Sequence, residues 1–296
     1  MSNSHSYKRL LVALQYGFYP LFIIGTIAMS TLLLHRVDKA YWFLIPLIMT
    51  GIMLPLVMLA EKLLPYRKAW QGSQKDSWTD VMRTFIIFPL ASLLVLYLLS
   101  VVKSHHYFRS VPDGDARSPL LFVGENLLLF LASDLFYYWM HRAFHRFRLL
   151  WPFHAIHHGA KRVYSINSGK FHFLEAFCSS LAYFSPMLIL GASEDAIVLV
   201  MTLSLVTGFL EHANINFKAG VLNYVFNTAE LHRWHHSVIM KESNSNFGKV
   251  LSIWDICFGT FWFPRNRDVT EVGIKDQSIP DSFMKQLTYP FRKPKS

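Results

Sequence analysis

The histidines of this chain are the residues most able to do chemistry, because ten of the fourteen lie between His141 and His236. Eight of them form three compact boxes, in which neighbouring histidines are one, three or four positions apart. On a helix, spacings of three and four place side chains on one face, so each box can direct several imidazoles towards one point. The boxes are His141 and His145; His154, His157 and His158; and His232, His235 and His236.

This array offers more imidazoles than one metal ion needs. A structural zinc ion binds four protein ligands, whereas the three boxes supply eight histidines. A single His-x3-His pair on an apolar helix is usually a pair of hydrogen-bonded core histidines, but three boxes in succession are not explained in that way. We therefore expect two metal ions in a shared histidine-rich site. Imidazole binds zinc, copper, iron and nickel, so histidine count alone does not identify the metal.

The elements that must position these histidines are predicted to be membrane helices. The chain has 296 residues, of which 52% are hydrophobic and only 16% are charged. Three apolar runs, at residues 16–34, 42–60 and 85–102, contain no charged residue. Each run approaches the roughly 20 residues that a helix needs to cross a bilayer, so we expect three transmembrane helices there.

A fourth apolar run, at residues 120–138, contains the carboxylates Glu125 and Asp134. Such groups are costly in a bilayer unless they face protein, water or metal. Because Asp134, Tyr138 and His141 are four and three positions apart, one helical face would carry the first box directly out of this run. Asp134 would then be either a buried hydrogen-bond acceptor or a residue that orients an imidazole.

Two shorter apolar runs, at residues 176–190 and 196–210, would form a transmembrane or a re-entrant hairpin. In both cases the chain returns to the side that it left, which brings His172 and His212 near the boxes. The whole pattern predicts an all-α integral-membrane helical bundle of about four spans plus a helical hairpin, with a cytosolic, histidine-rich, di-metal helical cap.

The formal net charge of +10 is better explained by membrane topology than by binding to nucleic acid. The basic residues lie beside the ends of the apolar runs, and cytosolic segments of membrane proteins are enriched in Lys and Arg. By this count, the N-terminus and the histidine boxes lie on the cytoplasmic side. Cys178 and Cys257 are too few for a disulfide framework, which fits a reduced, cytosol-facing catalytic region.

The boxes resemble those of the fatty acid hydroxylase and sterol desaturase superfamily, which contains integral-membrane di-iron oxygenases. The resemblance covers residues 134–263 and is carried by DLFYYWMHRAFH at 134–145, FHAIHH at 153–158 and LHRWHH at 231–236. Every histidine of the superfamily's eight-histidine signature has a match here. We accordingly divide the chain into an N-terminal transmembrane region (1–118), a catalytic domain of the fatty acid hydroxylase type (119–263) and a polar cytosolic C-terminal tail (264–296).

The resemblance implies an iron- and O2-dependent lipid hydroxylase or, less expected, a desaturase. It would act on an unactivated C–H bond of a fatty acyl chain or a sterol in lipid biosynthesis. The cofactors would be two Fe ions, which Zn could replace in a purified sample, and O2 would be the co-substrate. No catalytic residue is expected beyond the metal ligands. With two histidines outside the boxes, the implied ligands are His141, His145, His154, His157, His158, His172, His212, His232, His235 and His236.

Four carboxylates near the boxes in sequence could support the metal ligands or the local fold. The resemblance suggests that Asp255, in a C-terminal motif, supports the metal ligands. For Glu175, Glu211 and Glu230 we expect helix capping or a salt bridge, and the alternative is that they orient histidines.

The expected partners are a lipid substrate, the membrane and an electron donor, with no nucleic acid. No cytochrome b5, flavin or iron–sulfur module is apparent in the chain, so a separate donor of the ferredoxin or cytochrome b5 type is expected. The main alternative function is a membrane transporter or sensor for zinc, without redox chemistry. Its ligands should lie in the middle of several spans, whereas the first three spans contain almost none. A bis-histidine haem cytochrome and a zinc hydrolase are further alternatives, although a hydrolase needs only about three protein ligands.

Overall fold

The computed structural model describes residues 2–72, 75–104, 118–275 and 279–292 of the chain. Within these ranges the chain is helical, and its strand-like pairing is confined to three isolated bridges. The α-helices are α1 (Ser2–Arg36), α2 (Ile45–Leu63), α3 (Ser77–Met82), α4 (Phe88–Ser104), α5 (Pro119–Arg146), α6 (Trp151–His158), α7 (Phe173–Ile189), α8 (Glu194–Glu211), α9 (Ala229–His235), α10 (Met240–Ser243), α11 (Ile253–Cys257) and α12 (Phe283–Thr288). Short 3-10 turns lie at Lys39–Leu44, Lys68–Trp70, Ser165–Gly169, Gly220–Tyr224 and Tyr289–Phe291.

Four helical stretches of the described chain are long and apolar enough to cross a membrane. They are Val12–Arg36, Lys39–Leu63, Ser77–Lys103 and Pro119–Arg146, which confirms the four predicted spans. The third begins at Ser77 rather than at residue 85, because α3 continues into α4 through one turn of π-helix at Arg83–Ile87.

The spans present apolar side chains outwards and satisfy some of their polar groups internally. Leu93 and Leu120 are 62% and 80% exposed, as is expected of side chains that face lipid. The hydroxyl of buried Thr26 donates to the carbonyl of Phe22 at 2.8 Å within the same helix. Such internal hydrogen bonds are needed because the bilayer core offers no water.

The predicted hairpin is formed by α7 and α8, and α8 lies at the centre of the bundle. Twelve of the eighteen residues of α8 are buried, in cores shared with α1 and α2 on one side and with α5 and α7 on another. Glu125 closes the hairpin, since its Oε1 accepts hydrogen bonds from the backbone N and the hydroxyl of Ser193 at 2.8 and 2.9 Å. This contact explains why a carboxylate is tolerated in the fourth apolar run.

Asp134, the second carboxylate of that run, is a buried acceptor and does not orient a histidine. Its two oxygens accept hydrogen bonds from the backbone N atoms of Val250 and Leu251, at 2.7 and 3.2 Å. Of the two roles considered for Asp134, the structure shows the buried hydrogen-bond acceptor. It fastens the loop after the third box to the fourth span.

The cap consists of α6, α9 to α12 and their loops, and the described residues after 263 are part of it. Val269 and Val272 pack with Trp70 and Trp234 in a buried cluster. From α12, Gln286 accepts a hydrogen bond at 2.9 Å from the buried guanidinium of Arg83. The described part of the segment predicted as a polar tail is therefore packed, through Val269 and Val272 within the cap and through Gln286 against the third span.

Candidate metal centre

The three boxes and one further histidine meet where the ends of four helices converge. His141 and His145 lie on the last turns of α5, which continues past its apolar run as predicted. The second box lies on α6 and the third at the end of α9, while His212 is the C-cap of α8. The helical spacing of each box brings its imidazoles to one face, and the hairpin returns His212 to the same place.

The first cluster, the five-histidine group, contains His141, His145, His154, His158 and His235. One ring nitrogen of each lies within 4.8 Å of those of the other four. The Nε2 atoms of His141 and His158 are each 3.0 Å from Nε2 of His154. Nε2 of His158 is also 3.1 Å from Nε2 of both His145 and His235.

The second cluster, the four-histidine group, contains His157, His212, His232 and His236. Nε2 of His232 lies 2.8 Å from Nε2 of His212 and 3.0 Å from Nε2 of His236. The two groups are neighbours, because the ring centroids of His158 and His236 are 4.6 Å apart. The second and third boxes therefore each contribute histidines to both groups, which their spacing alone did not predict.

Backbone and amide oxygens fix the outer nitrogen of four histidines. Nδ1 of His141 donates to the carbonyl of Phe247 at 2.9 Å, and Nδ1 of His235 to the carbonyl of Ser245 at 2.7 Å. The same nitrogen of His212 lies 2.9 Å from Oδ1 of Asn167, and that of His145 lies 3.2 Å from Oδ1 of Asn244. A carbonyl can only accept, so the proton of these imidazoles is held on Nδ1.

Two carboxylates fix the outer nitrogen of two further histidines. Glu175 contacts Nδ1 of His154, and Oε1 of Glu211 lies 2.9 Å from Nδ1 of His232. For these two residues the alternative role, orientation of histidines, is thus the observed one. Glu230 has the expected salt-bridge role instead, since its carboxylate pairs with Lys218 at 3.4 Å and also accepts from the backbone N of Ala219 and from Asn223.

Asp255 supports the centre through the backbone. Its oxygens accept hydrogen bonds from the backbone N atoms of Phe247 and Gly248, each at 2.8 Å, and Phe247 in turn accepts from His141. Burial raises the pKa of Asp255 to about 6, against the opposing effect of these hydrogen bonds. The expected support for the metal ligands is therefore indirect.

The histidines of the cap are held neutral by burial. Withdrawal from water lowers the pKa of His232 to about 3, and it lowers the pKa of His157, His158 and His236 well below its usual range. A neutral imidazole that carries its proton on Nδ1 has a bare lone pair on Nε2. In the pairs His141–His154 and His212–His232, two such lone pairs thus face each other at 3.0 and 2.8 Å.

A cation between these nitrogens would turn that repulsion into binding. Ligand nitrogens at right angles on a metal ion with bonds of about 2.1 Å are themselves about 3.0 Å apart. The observed Nε2–Nε2 distances of 2.8 to 3.1 Å match this spacing in both groups. The donor set therefore fits two transition-metal ions, and its neutral nitrogens suit iron as well as zinc or copper.

The structure does not bring His172 together with the other nine histidines. Its Nδ1 accepts a hydrogen bond from the backbone N of Leu174, which makes it the N-cap of α7. Its Nε2 lies 3.1 Å from the carbonyl of Leu287. Both nitrogens are thus used by the fold, and His172 is in neither group.

Sequence reasoning missed the amides and carbonyls that hold the ligands. Asn167 and Asn244 lie in polar loops, and the carbonyls of Ser245 and Phe247 could not be told from any others. The only signal was the concentration of Ser and Asn between residues 243 and 246, directly after the third box.

A family of known proteins matches the part of the chain that contains the two histidine groups. The family model described as fatty acid hydroxylase matches residues 126–260, which include both histidine groups. The chain is 31% identical to the ornithine lipid hydroxylase OlsE of Rhizobium tropici over 249 residues, covering 80% of this chain and 72% of that protein.

Other relatives match over about half of this chain or less. Alkylglycerol monooxygenases of Danio rerio and Homo sapiens are 31% and 30% identical, over 45% of this chain and about 30% of their own length. A very-long-chain aldehyde decarbonylase of Oryza sativa is 26% identical over 47% of this chain and 52% of its own length. No solved structure matches the chain.

Replacement of single histidines tests which of them bind metal. We expect His212→Gln to lower the metal content of the purified protein by about one ion per chain, because the four-histidine group loses a ligand. His172→Gln should keep the full content, since it lies outside both groups. Mass spectrometry of anaerobically purified protein measures the metals. Equal metal content in the two folded variants would contradict the assignment.

Removal of Glu175 tests the role of the outer hydrogen bonds. In Glu175→Ala the proton on Nδ1 of His154 loses its acceptor, and such losses weaken metal binding about 10- to 100-fold. We expect faster loss of metal to a chelator, at a rate higher by a similar factor. Glu194→Ala is the matched control, because Glu194 is exposed and pairs with Lys39 at the surface. If both variants released metal like the wild type, Glu175 would not hold the ligand.

Proposed function

The chain belongs to the fatty acid hydroxylase and sterol desaturase superfamily, and on that premise we propose that it is an oxygenase that hydroxylates a membrane lipid at an unactivated C–H bond. The observation that carries the proposal is the convergence of nine buried or half-buried histidines, in two adjacent groups, at the end of membrane-spanning helices. O2 is the proposed co-substrate.

The nine histidines of the two groups are the proposed ligands of two iron ions. When bound, the iron pair supplies activation of dioxygen and removal of a hydrogen atom from an aliphatic carbon. The protein keeps the imidazoles neutral by burial, and contacts to the outer nitrogen favour a proton there in six of the nine. This leaves nine neutral nitrogen donors and no carboxylate among the ligands of either group.

Hydroxylation is favoured over desaturation by the named activities of the relatives, which are those of a hydroxylase, monooxygenases and a decarbonylase. The relative that matches over most of its length is named for ornithine lipid, and a polar membrane lipid is therefore the proposed substrate class. Transport of zinc is disfavoured because both histidine groups lie together at one end of the spans.

Electrons are proposed to come from a separate protein of the ferredoxin or cytochrome b5 type. Arg146, Arg148 and Lys161 are exposed near the histidine groups and would attract an acidic carrier. The surplus of Lys and Arg around the cap supports a cytoplasmic location for the cap. That side also offers the reduced carriers that the reaction needs.

Comparative lipidomics tests the oxygenase. A strain that makes the wild-type protein should accumulate a lipid heavier by one oxygen atom, and that atom should carry the label when cells grow under 18O2. The variant His157→Gln should lose at least nine-tenths of the product, because it lacks a ligand of the four-histidine group. His35→Gln, on an exposed residue of α1, is the control. Identical lipid profiles in all strains would refute the oxygenase.

Cysteine labelling tests the topology. In a background of Cys178→Ser and Cys257→Ser, a cysteine at exposed position 241 should react with an impermeant maleimide only after the membrane is opened. A cysteine at exposed position 40, at the start of the second span, should react in intact cells. The reverse pattern would place the metal centre on the outer side.

A further inference from the structure

A lysine lies beside the metal centre in an apolar setting. Nζ of Lys249 lies 5.3 and 5.9 Å from the ring centroids of Tyr137 and Tyr183, both of which are buried. Among the described residues, this ammonium has no hydrogen bond and no carboxylate within salt-bridge distance. The Lys249 residue as a whole is half-buried.

The backbone on both sides of Lys249 is fixed by two carboxylates. Asp255 holds the backbone N atoms of Phe247 and Gly248, and Asp134 holds those of Val250 and Leu251. Position 248 accepts only glycine, because a Cβ there would lie 2.1 Å from the carbonyl oxygen of Leu251. The loop therefore presents the lysine side chain from a rigid support.

Lys249 lies one helical turn from the proposed metal ligands. Tyr137 precedes His141 by four residues on α5, and Gly208 precedes His212 by four residues on α8. A Cβ on Gly208 would lie 3.7 Å from Nζ of Lys249. Since one turn of helix rises about 5.4 Å, the ammonium lies beside positions of α5 and α8 that are one turn away from ligand positions.

An accessible apolar track on α8 leads to the same point. Most of this helix is buried, but Ile197, Met201, Leu205 and Gly208 are partly accessible. Their spacings of four, four and three place them on one face, and His212 continues that face four residues later. Gly208 has no side chain, which leaves room next to the ammonium. An acyl chain lying on this track would reach Lys249 before it reached the histidines.

We propose that Lys249 binds an uncharged oxygen of the lipid substrate, a carbonyl or a hydroxyl, while the acyl chain lies along the α8 track. The carboxyl groups of Asp134 and Glu211 are already near the ammonium, so a neutral acceptor fits better than an additional anion. Because Lys249 is one helical turn from the ligands, the oxidised carbon lies only a few bonds from that oxygen. This inference rests on the proposed function and narrows its substrate to lipids oxidised near their polar group.

Binding of two matched probes tests the inference without catalysis. The probes are tritiated hexadecan-1-ol and tritiated hexadecane, measured by scintillation proximity on purified, metal-loaded protein. We expect wild type to bind the alcohol at least 10-fold more tightly than the alkane, and Lys249→Met to abolish this preference with unchanged metal content. Lys249→Arg should restore part of it. Lys241→Met, on an exposed lysine of α10, is the control.

Variants of the track and mapping of the product complete the test. Gly208→Leu should weaken binding of both probes, because its side chain fills the space beside Lys249. Tandem mass spectrometry of the oxygenated lipid should place the new oxygen within a few bonds of a carbonyl or hydroxyl.

The outcomes separate the two proposals. A lysine-dependent preference without any oxygenated lipid would support the binding site and refute the oxygenase. An oxygenated lipid with no preference for the alcohol, or with the oxygen in mid-chain, would overturn the role of Lys249 alone.

Discussion

The structure depends on the convergence of bare imidazole nitrogens in a water-poor site. Nε2 atoms in both groups approach to between 2.8 and 3.1 Å, although burial keeps the cap histidines neutral. Without a cation this arrangement is repulsive, and protonation would require charge to be buried. Metal binding would therefore stabilise the folded protein, and the cap would be least stable when its metals are removed.

Several buried polar groups around the histidines serve this convergence. Glu175, Glu211 and the carbonyl of Phe247 each contact the outer nitrogen of a histidine, and Asp255 holds Phe247 in place. These contacts join α5, which is a membrane span, to the segment around Phe247, which belongs to the cap. The C-terminal segment is held to the third span by the hydrogen bond from Arg83 to Gln286.

Sequence reasoning located the spans and the boxes, because both are local patterns. Apolar runs identify membrane helices without knowledge of their neighbours, and helical spacing is enough to place the imidazoles of one box together. Tertiary relations were harder to obtain. His172 and His212 both flank the hairpin, yet only His212 reaches a group, because His172 caps α7 and meets the C-terminal segment. Asp134 and Tyr137 of α5 contact Val250 and Lys249, which lie in a loop more than a hundred residues later in the sequence. No local sequence pattern reveals such contacts.

The central claim is that each histidine group holds one metal ion, and anomalous diffraction at the iron edge tests it most directly. Crystals of anaerobically purified protein should show two anomalous peaks, one among Nε2 atoms of the five-histidine group and one among those of the four-histidine group. A single peak, or peaks outside the groups in a protein with the same fold, would contradict the account.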